Sequence, residues 1–304
     1  EPEPEPSAIS FTGNLIDGYV KDATGRIIDP SDPAYSLQDL RTDVFGNWGS
    51  IIPISALPDL YKVEFSGGID IATNAATNIT FAKYIFRTET TPSQPITISP
   101  ITTIASIIID SQLGPMSNKV AVVNNARNIV IQALDISGSD LINDYIETQN
   151  DRSLKANLKL IIINDALKIL SSQDLPSASN DYIFGRIANH IVYNSGDNLF
   201  KNPISSNINA FVNDISNNLS LTTKDNANKI ITYILGKINN NNNGNFIEFA
   251  SEIYSLDVAV VSYLNSINVT LPLVSNFEEI INNNIESVAI YQIFREVPPA
   301  PEPE

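Results

Sequence analysis

From Ile9 to Ile98 the apolar residues alternate or fall in short runs, separated by clusters of Gly, Asp, Asn and Pro. Ile9 to Val20, Tyr35 to Thr42, Trp48 to Ile54, Tyr61 to Phe65 and Ile79 to Arg87 each fit a strand. The turns between them carry Asp22, Gly25, Asp43 and Gly46, residue types that tolerate positive φ and let antiparallel strands reverse. This pattern predicts a β-sandwich of six or seven strands over residues 9–98. Trp48, the only tryptophan, follows the Asp43 to Gly46 turn and is expected to fill the gap between sheets.

Beyond Ser99-Pro100 the period changes to 3.6. Ile101, Ile104, Ala105 and Ile108 share one stripe, and Val122, Val123, Ala126, Ile129, Val130, Ala133 and Leu134 share the next. Further stripes run through Leu154, Leu158, Ile161, Ile162 and Ile169, then through Ile183, Phe184, Ile187 and Ile191. Pro203 fits a first helical turn, ahead of Ile208, Phe211, Val212, Ile215 and Leu219. Thr222 or Thr223 can cap the following helix, whose stripe is Ala227, Ile230, Ile231, Ile234, Leu235 and Ile238 and whose end is the Asn239 to Asn243 run with Gly244. Two more helices follow, one on Phe246, Phe249, Ile253, Leu256, Val260 and Leu264, the other on Phe277, Ile280, Ile281, Ile285, Val288 and Tyr291. The fold class expected is therefore multidomain, β then α, with an all-α helical bundle over residues 99–295.

A chain of 304 residues buries about 75% of its unfolded surface, so it needs neither disulfide nor metal to reach stability. With no cysteine it has no thiolate nucleophile and no Cys-based zinc site. The net charge of −16 sets a field that repels phosphate backbones and anionic lipid, which argues against nucleic acid as a partner. The longest apolar runs, such as Ile101 to Ile109, are far shorter than the roughly 18 residues of a membrane span, so no membrane insertion is expected.

Residues 1–8 and 296–304 are dominated by Glu and Pro. Proline fixes φ and like charges repel, so such segments favour extended, stiff spacers. They suggest a unit joined to other modules of the same long chain. Asparagine makes up about one residue in eight, a bias that AT-rich codon usage explains as well as function does.

The run Gly18-x-Val20-x-Asp22-x-x-Gly25-x-Ile27, then Thr42-Asp43-x-x-Gly46-x-Trp48, then Leu57-Pro58-x-x-Tyr61-x-Val63 resembles the carboxypeptidase-regulatory-like, transthyretin-like domains. The resemblance implies a prealbumin-like antiparallel β-sandwich that serves as an accessory module. Trp48 stands where that family usually has Phe, and the insertion from Asp29 to Gln38 blurs the register of the second strand. The continuation through Ser66-Gly67-Gly68-Ile69-Asp70 and Ile98-Ser99-Pro100-Ile101-Thr102-Thr103 looks like the step into a helical block in large repetitive surface adhesins and in surface proteins of marine bacteria and their phages.

Candidate chemistry is sparse. His190 is the single histidine and lies on an apolar helix face, without a G-x-S-x-G turn or metal-ligand spacing around it. Asp140, Asp144, Glu147 and Asp151 recur at helical spacing and, with Glu278 and Glu279, read as a solvated acidic face or as acids set against helix dipoles. Gly67-Gly68 reads as a bulge or tight reversal. Calcium is the one metal that the turns leave room for, through Asp17, Asp22, Asp29, Asp32, Asp39 and Asp43. Their spacing departs from a D-x-[DN]-x-[DN]-G loop, and Arg26 adds a positive charge. No catalytic, cofactor-binding or metal residue is assigned on this basis. The expectation is a non-enzymatic structural or interaction module, extracellular on a cell surface or virion. The alternative is an adhesin that takes a host-surface glycan or protein through the sandwich loops, and behind it stands a hydrolase with a carboxylate pair in the helical block.

Overall fold

A computed structural model describes residues 9–241 and 245–287. The Glu-Pro segments, Asn242, Asn243, Gly244, Val288 and Tyr291 lie outside the described residues. Ten strands come first: β1 (Phe11–Leu15), β2 (Val20–Lys21), β3 (Thr24–Ile28), β4 (Ser36–Arg41), β5 (Asn47–Ser50), β6 (Leu60–Ser66), β7 (Ile69–Asp70), β8 (Ala75–Ala76), β9 (Phe81–Phe86) and β10 (Ile96–Ile98). Eight α-helices follow among the described residues: α1 (Pro100–Gln112), α2 (Lys119–Leu134), α3 (Asp151–Leu170), α4 (Asn180–Tyr193), α5 (Ser205–Ile215), α6 (Leu221–Asn240), α7 (Phe246–Ser266) and α8 (Phe277–Ser287). The change from β to α falls between Ile98 and Pro100, where the periodicity switches.

The prealbumin-like antiparallel β-sandwich expected for residues 9–98 is not the architecture that forms. The strands make three small sheets, ordered β10-β1-β5, β2-β7-β8 and β4-β3-β6-β9. One of them is mixed, because β1 pairs parallel with β10, Gly13 opposite Ile96 and Leu15 opposite Ile98. The four-stranded sheet is antiparallel throughout, with Ile27 opposite Val63 and Phe65 opposite Phe81. Alternation of apolar residues tells which strands are half-buried and nothing of which strands pair, so β10 and the separate strand β3 escaped the sequence reading.

Trp48 has the core role expected of it. It is 3% exposed and packs against Phe11 and Phe65 with ring centroids 6.2 and 5.8 Å apart. Gly13 lies directly beneath the indole, where a Cβ would collide with the ring and with the Ile96 carbonyl. Gly46 supplies the positive φ of 75° that the turn before Trp48 requires. Tyr19 holds a φ of 65° despite its large side chain, a strained conformation that surrounding contacts must enforce.

The Ser99-Pro100-Ile101-Thr102-Thr103 step explains how strands hand over to helices. Ser99 is the N-cap of α1 and Pro100 takes the first turn, where its missing N–H costs nothing. The next two residues turn inward. Thr103 Oγ1 accepts from the Ala82 N–H at 3.0 Å, while Thr102 Oγ1 donates to the Ala82 carbonyl at 3.1 Å. Ala82 belongs to β9, the edge of the four-stranded sheet, so the first turn of α1 closes that edge against further pairing. Asn157 of α3 accepts from the Ile101 N–H at 3.0 Å and pins the same turn from the other side.

Helix α3 is buried around nearly its whole circumference, polar Ser153, Asn157 and Asn164 included, and it packs on α1, α4, α6 and α7. One apolar cluster runs from Phe11 through the helices to Ile281. Two helix starts differ from the sequence reading. Ser220, not Thr222 or Thr223, caps α6, accepting from the Thr223 N–H at 3.2 Å. Helix α5 begins at Ser205, leaving Pro203 ahead of its N-cap and Leu219 beyond its end. Replacing Thr103 by the isosteric Val should strand the buried Ala82 N–H and cost about 1–3 kcal/mol in urea unfolding; a loss below about 0.5 kcal/mol would show that the edge is closed by packing alone.

Candidate functional site

Chemistry-bearing groups concentrate where the first turn of the chain meets the helices. Asp17 lies in the turn between β1 and β2, and its backbone carbonyl accepts from the hydroxyls of Tyr145, at 2.8 Å, and of Tyr254 on α7. A second tie lies beside it. Asp144 accepts from Asn14 Nδ2 at 3.0 Å and from the Tyr19 hydroxyl at 2.9 Å. That bond anchors the strained Tyr19 and joins the β1–β2 turn to the segment before α3.

The side chain of Asp17 lines a small, partly open cavity of about 30 Å³ between the β7–β8 hairpin and helices α3 and α7. Four carboxyls line it: Asp17, Asp70 of β7, Asp165 of α3 and Asp257 of α7. Asp70 is well satisfied, accepting from the Ala72 N–H at 2.9 Å and from Thr73 Oγ1 at 2.6 Å. Asp165 accepts from Asn180 Nδ2 at 2.7 Å and Asn164 Nδ2 at 3.2 Å. Asp17, 9% exposed, makes no side-chain hydrogen bond among the described residues, and Asp257 Oδ1 is buried without a partner.

Burial sets the protonation of this group. It raises the Asp17 and Asp257 carboxyls well above their ordinary values, and the neighbouring acids, each a like charge, raise them further. Burial also raises Asp70, partly offset by the hydrogen bonds from Thr73 and Ala72, and pushes Asp165 up to about 6. The Tyr145 and Tyr254 hydroxyls are likewise raised, by burial first, then by nearby Asp17 for Tyr145 and by Tyr145, Asp70 and Asp17 for Tyr254.

The residues weighed from sequence are scattered by the fold. Of the calcium candidates, Asp17 is in the cavity, Asp22 pairs with Arg41 at 3.2 Å, Asp29 caps Ser31, and Asp43 accepts from the N–H groups of Phe45 and Asn47. Among the described residues no three acidic or histidine side chains are placed to hold a metal ion. Asp140 and Asp144 are buried, not on a solvated face. Asp140 accepts from the Ser137 N–H and from Asn150, while Glu278 and Glu279 occupy the first turn of α8 as expected.

His190 does have a companion. Its Nδ1 lies 2.7 Å from Asp214 Oδ2 of α5, its ring packs edge-on against Phe211, and its Nε2 is buried without a hydrogen-bond partner among the described residues. A His–Asp pair orients an imidazole, but nucleophilic catalysis also needs a hydroxyl or thiol on the free nitrogen. Sequence missed the pair because its two members sit on different helices. The acidic cavity was missed for the same reason, since its carboxyls come from a turn, a strand and two helices.

A wider groove of about 440 Å³ lies between α5, α6 and the α7–α8 connection, lined by Ile208, Lys229, Leu273 and Phe277. Its titratable lining is limited to Lys229 and Glu278. Compared with family models, with curated proteins and with solved structures, the chain matches none. Nothing in these comparisons identifies a carboxypeptidase-regulatory-like domain.

Asp144→Ala should remove the hydrogen bonds from Asn14 and from the Tyr19 hydroxyl and release the anchor of a strained turn. The expected loss is about 3 kcal/mol of unfolding free energy, read by urea titration. A loss below about 1 kcal/mol would mean that Tyr19 holds its conformation without Asp144.

Proposed function

We propose that this chain is a non-catalytic structural and interaction module of a larger surface-exposed protein, on a cell surface or virion, spaced from its neighbours by Glu-Pro segments. The observation that carries this reading is the use to which the reactive and polar groups are put. They tie the strands to the helices. Tyr145 and Tyr254 hold Asp17, and Asp144 holds Asn14 and Tyr19. Asp181 of α4 accepts from the Thr80 N–H at 2.7 Å and from its hydroxyl at 2.8 Å. Arg127 of α2 forks onto Glu89 at 2.6 and 2.8 Å, and Asp110 of α1 accepts from Lys62 at 2.9 Å and from Tyr84. Lys83 donates to the Thr97 and Leu141 carbonyls at 3.0 and 2.8 Å, with its pKa lowered to about 7 by burial.

Such cross-ties suit a bead that carries load along a string. The aromatics point the same way. A sugar-binding face needs exposed, clustered rings, yet Tyr19, Trp48 and Tyr84 are all buried and, of the four aromatics that such a face would use, Tyr35 alone is exposed, at 71%.

Pulling the chain from its two Glu-Pro segments in single-molecule force spectroscopy tests the proposal. A load-bearing bead gives one rupture that releases strands and helices together. Stepwise release, with the strands peeling away first, would contradict it, as would saturable binding of a soluble glycan by the isolated chain.

A further inference from the structure

We propose that the acidic cavity is a proton-operated latch: protons bound by its carboxyls hold the β7–β8 hairpin against α3 and α7, and their loss on raising the pH releases it. The geometry alone poses the problem. Four carboxyls border one cavity of about 30 Å³, and none of them makes an ion pair among the described residues. The groups facing them are acids and phenols: Asp17 from the β1–β2 turn, Asp70 from β7, Asp165 from α3, Asp257 and Tyr254 from α7, with Tyr145 and Asp144 behind Asp17.

Four carboxylates around one small cavity, Asp17 and Asp70 buried and Asp165 and Asp257 half-buried, would repel one another, most strongly where charge is poorly solvated. Protonation removes that repulsion and turns each carboxylic acid into a donor. Two acceptors stand ready for those protons, since among the described residues the Asp17 carboxyl makes no hydrogen bond and Asp257 Oδ1 is buried without a partner.

The hairpin is the element with most to lose. Strands β7 and β8 are two residues each, held to β2 and to one another by two residue pairs per interface, and Ala75 and Ala76 are exposed. So short a sheet has little stability of its own, and the cavity wall supplies its contact with the helices.

The direction with pH follows from proton counts. Folded carboxyls raised above the unfolded value keep protons that the unfolded chain has already released, so their contribution falls as pH rises. For Asp165 the fall levels off above about 6, while Asp17 and Asp257, raised well above the ordinary carboxyl value, carry it to higher pH. Lowered acids such as Glu89, and the lowered Lys83 and Lys159, slope the opposite way, so a variant comparison is needed to isolate the latch.

Amide hydrogen exchange of the whole chain, corrected for the intrinsic pH dependence of exchange, provides the test. Protection at Ile69, Asp70 and Ala76 should fall at least tenfold, relative to the α3 core, between about pH 5 and about pH 8. Asp257→Asn, which removes one ionisable group but keeps the shape, should flatten that response and raise Tm at about pH 8 by about 5 °C. Asp17→Asn serves the same purpose should the first variant fail to fold. Asp181→Asn, which weakens the docking of Thr80 without touching the cavity, should leave the pH response intact. Unchanged protection over this range, or a response that survives both cavity variants, would overturn the latch. So would a rise in Tm with millimolar calcium at about pH 8 that Asp257→Asn abolishes, because a metal ion would then be the neutralising species.

Discussion

The strands of this protein cannot bury themselves, and that constraint shapes the rest of the molecule. Its sheets have three, three and four strands, and one strand pair is parallel. Sheets of that size leave a face and an edge that something else must cover. Helix α1 does both. Its first turn takes the hydrogen bonds of Ala82 at the edge of β9, while Ile101 and Ile104 join the same apolar cluster as Phe11 and Phe65. Strands and helices therefore share one core and depend on one another.

Around that shared core the junction is fastened by polar side chains whose partners lie far away in sequence. Asp144 reaches back to Asn14 and Tyr19, Asp181 to Thr80, and Tyr254 to Asp17. Several of the asparagines belong to this scheme. Asn157 pins the start of α1, Asn198 bonds the Ala133 carbonyl, and Asn226 accepts from the Leu273 N–H and donates to the Leu271 carbonyl. Buried amides that satisfy backbone groups this way fix the position of loops that packing alone would leave free. The bias towards asparagine, which codon usage alone could explain, has here a structural use.

How much of this was legible in the sequence depended on the reach of each signal. Helical stripes were plain, because residues such as Ile230, Ile234 and Ile238 recur within one element and need no partner to be recognised. The Ser99 to Thr103 step was visible as a motif, and its local capping follows from residue type, but the bond from Thr103 to Ala82 does not. Strand order was illegible, since alternation in β1 fits an antiparallel neighbour as well as parallel β10. The candidate site was the least legible of all. Asp17, Asp70, Asp165 and Asp257 carry no mutual spacing, and Asp144 looked like one acid of a solvated row until the fold placed it under Tyr19.

The claim on which the account turns is that strands and helices form one cooperative unit, and the chain carries its own reporters for it. Trp48 lies in the strand core as the only tryptophan, so its fluorescence follows the β part, while far-ultraviolet circular dichroism follows the helices. In urea the two signals should trace the same transition with a common midpoint and slope. Loss of the Trp48 signal at clearly lower urea than the helical signal, or the reverse, would contradict a shared core.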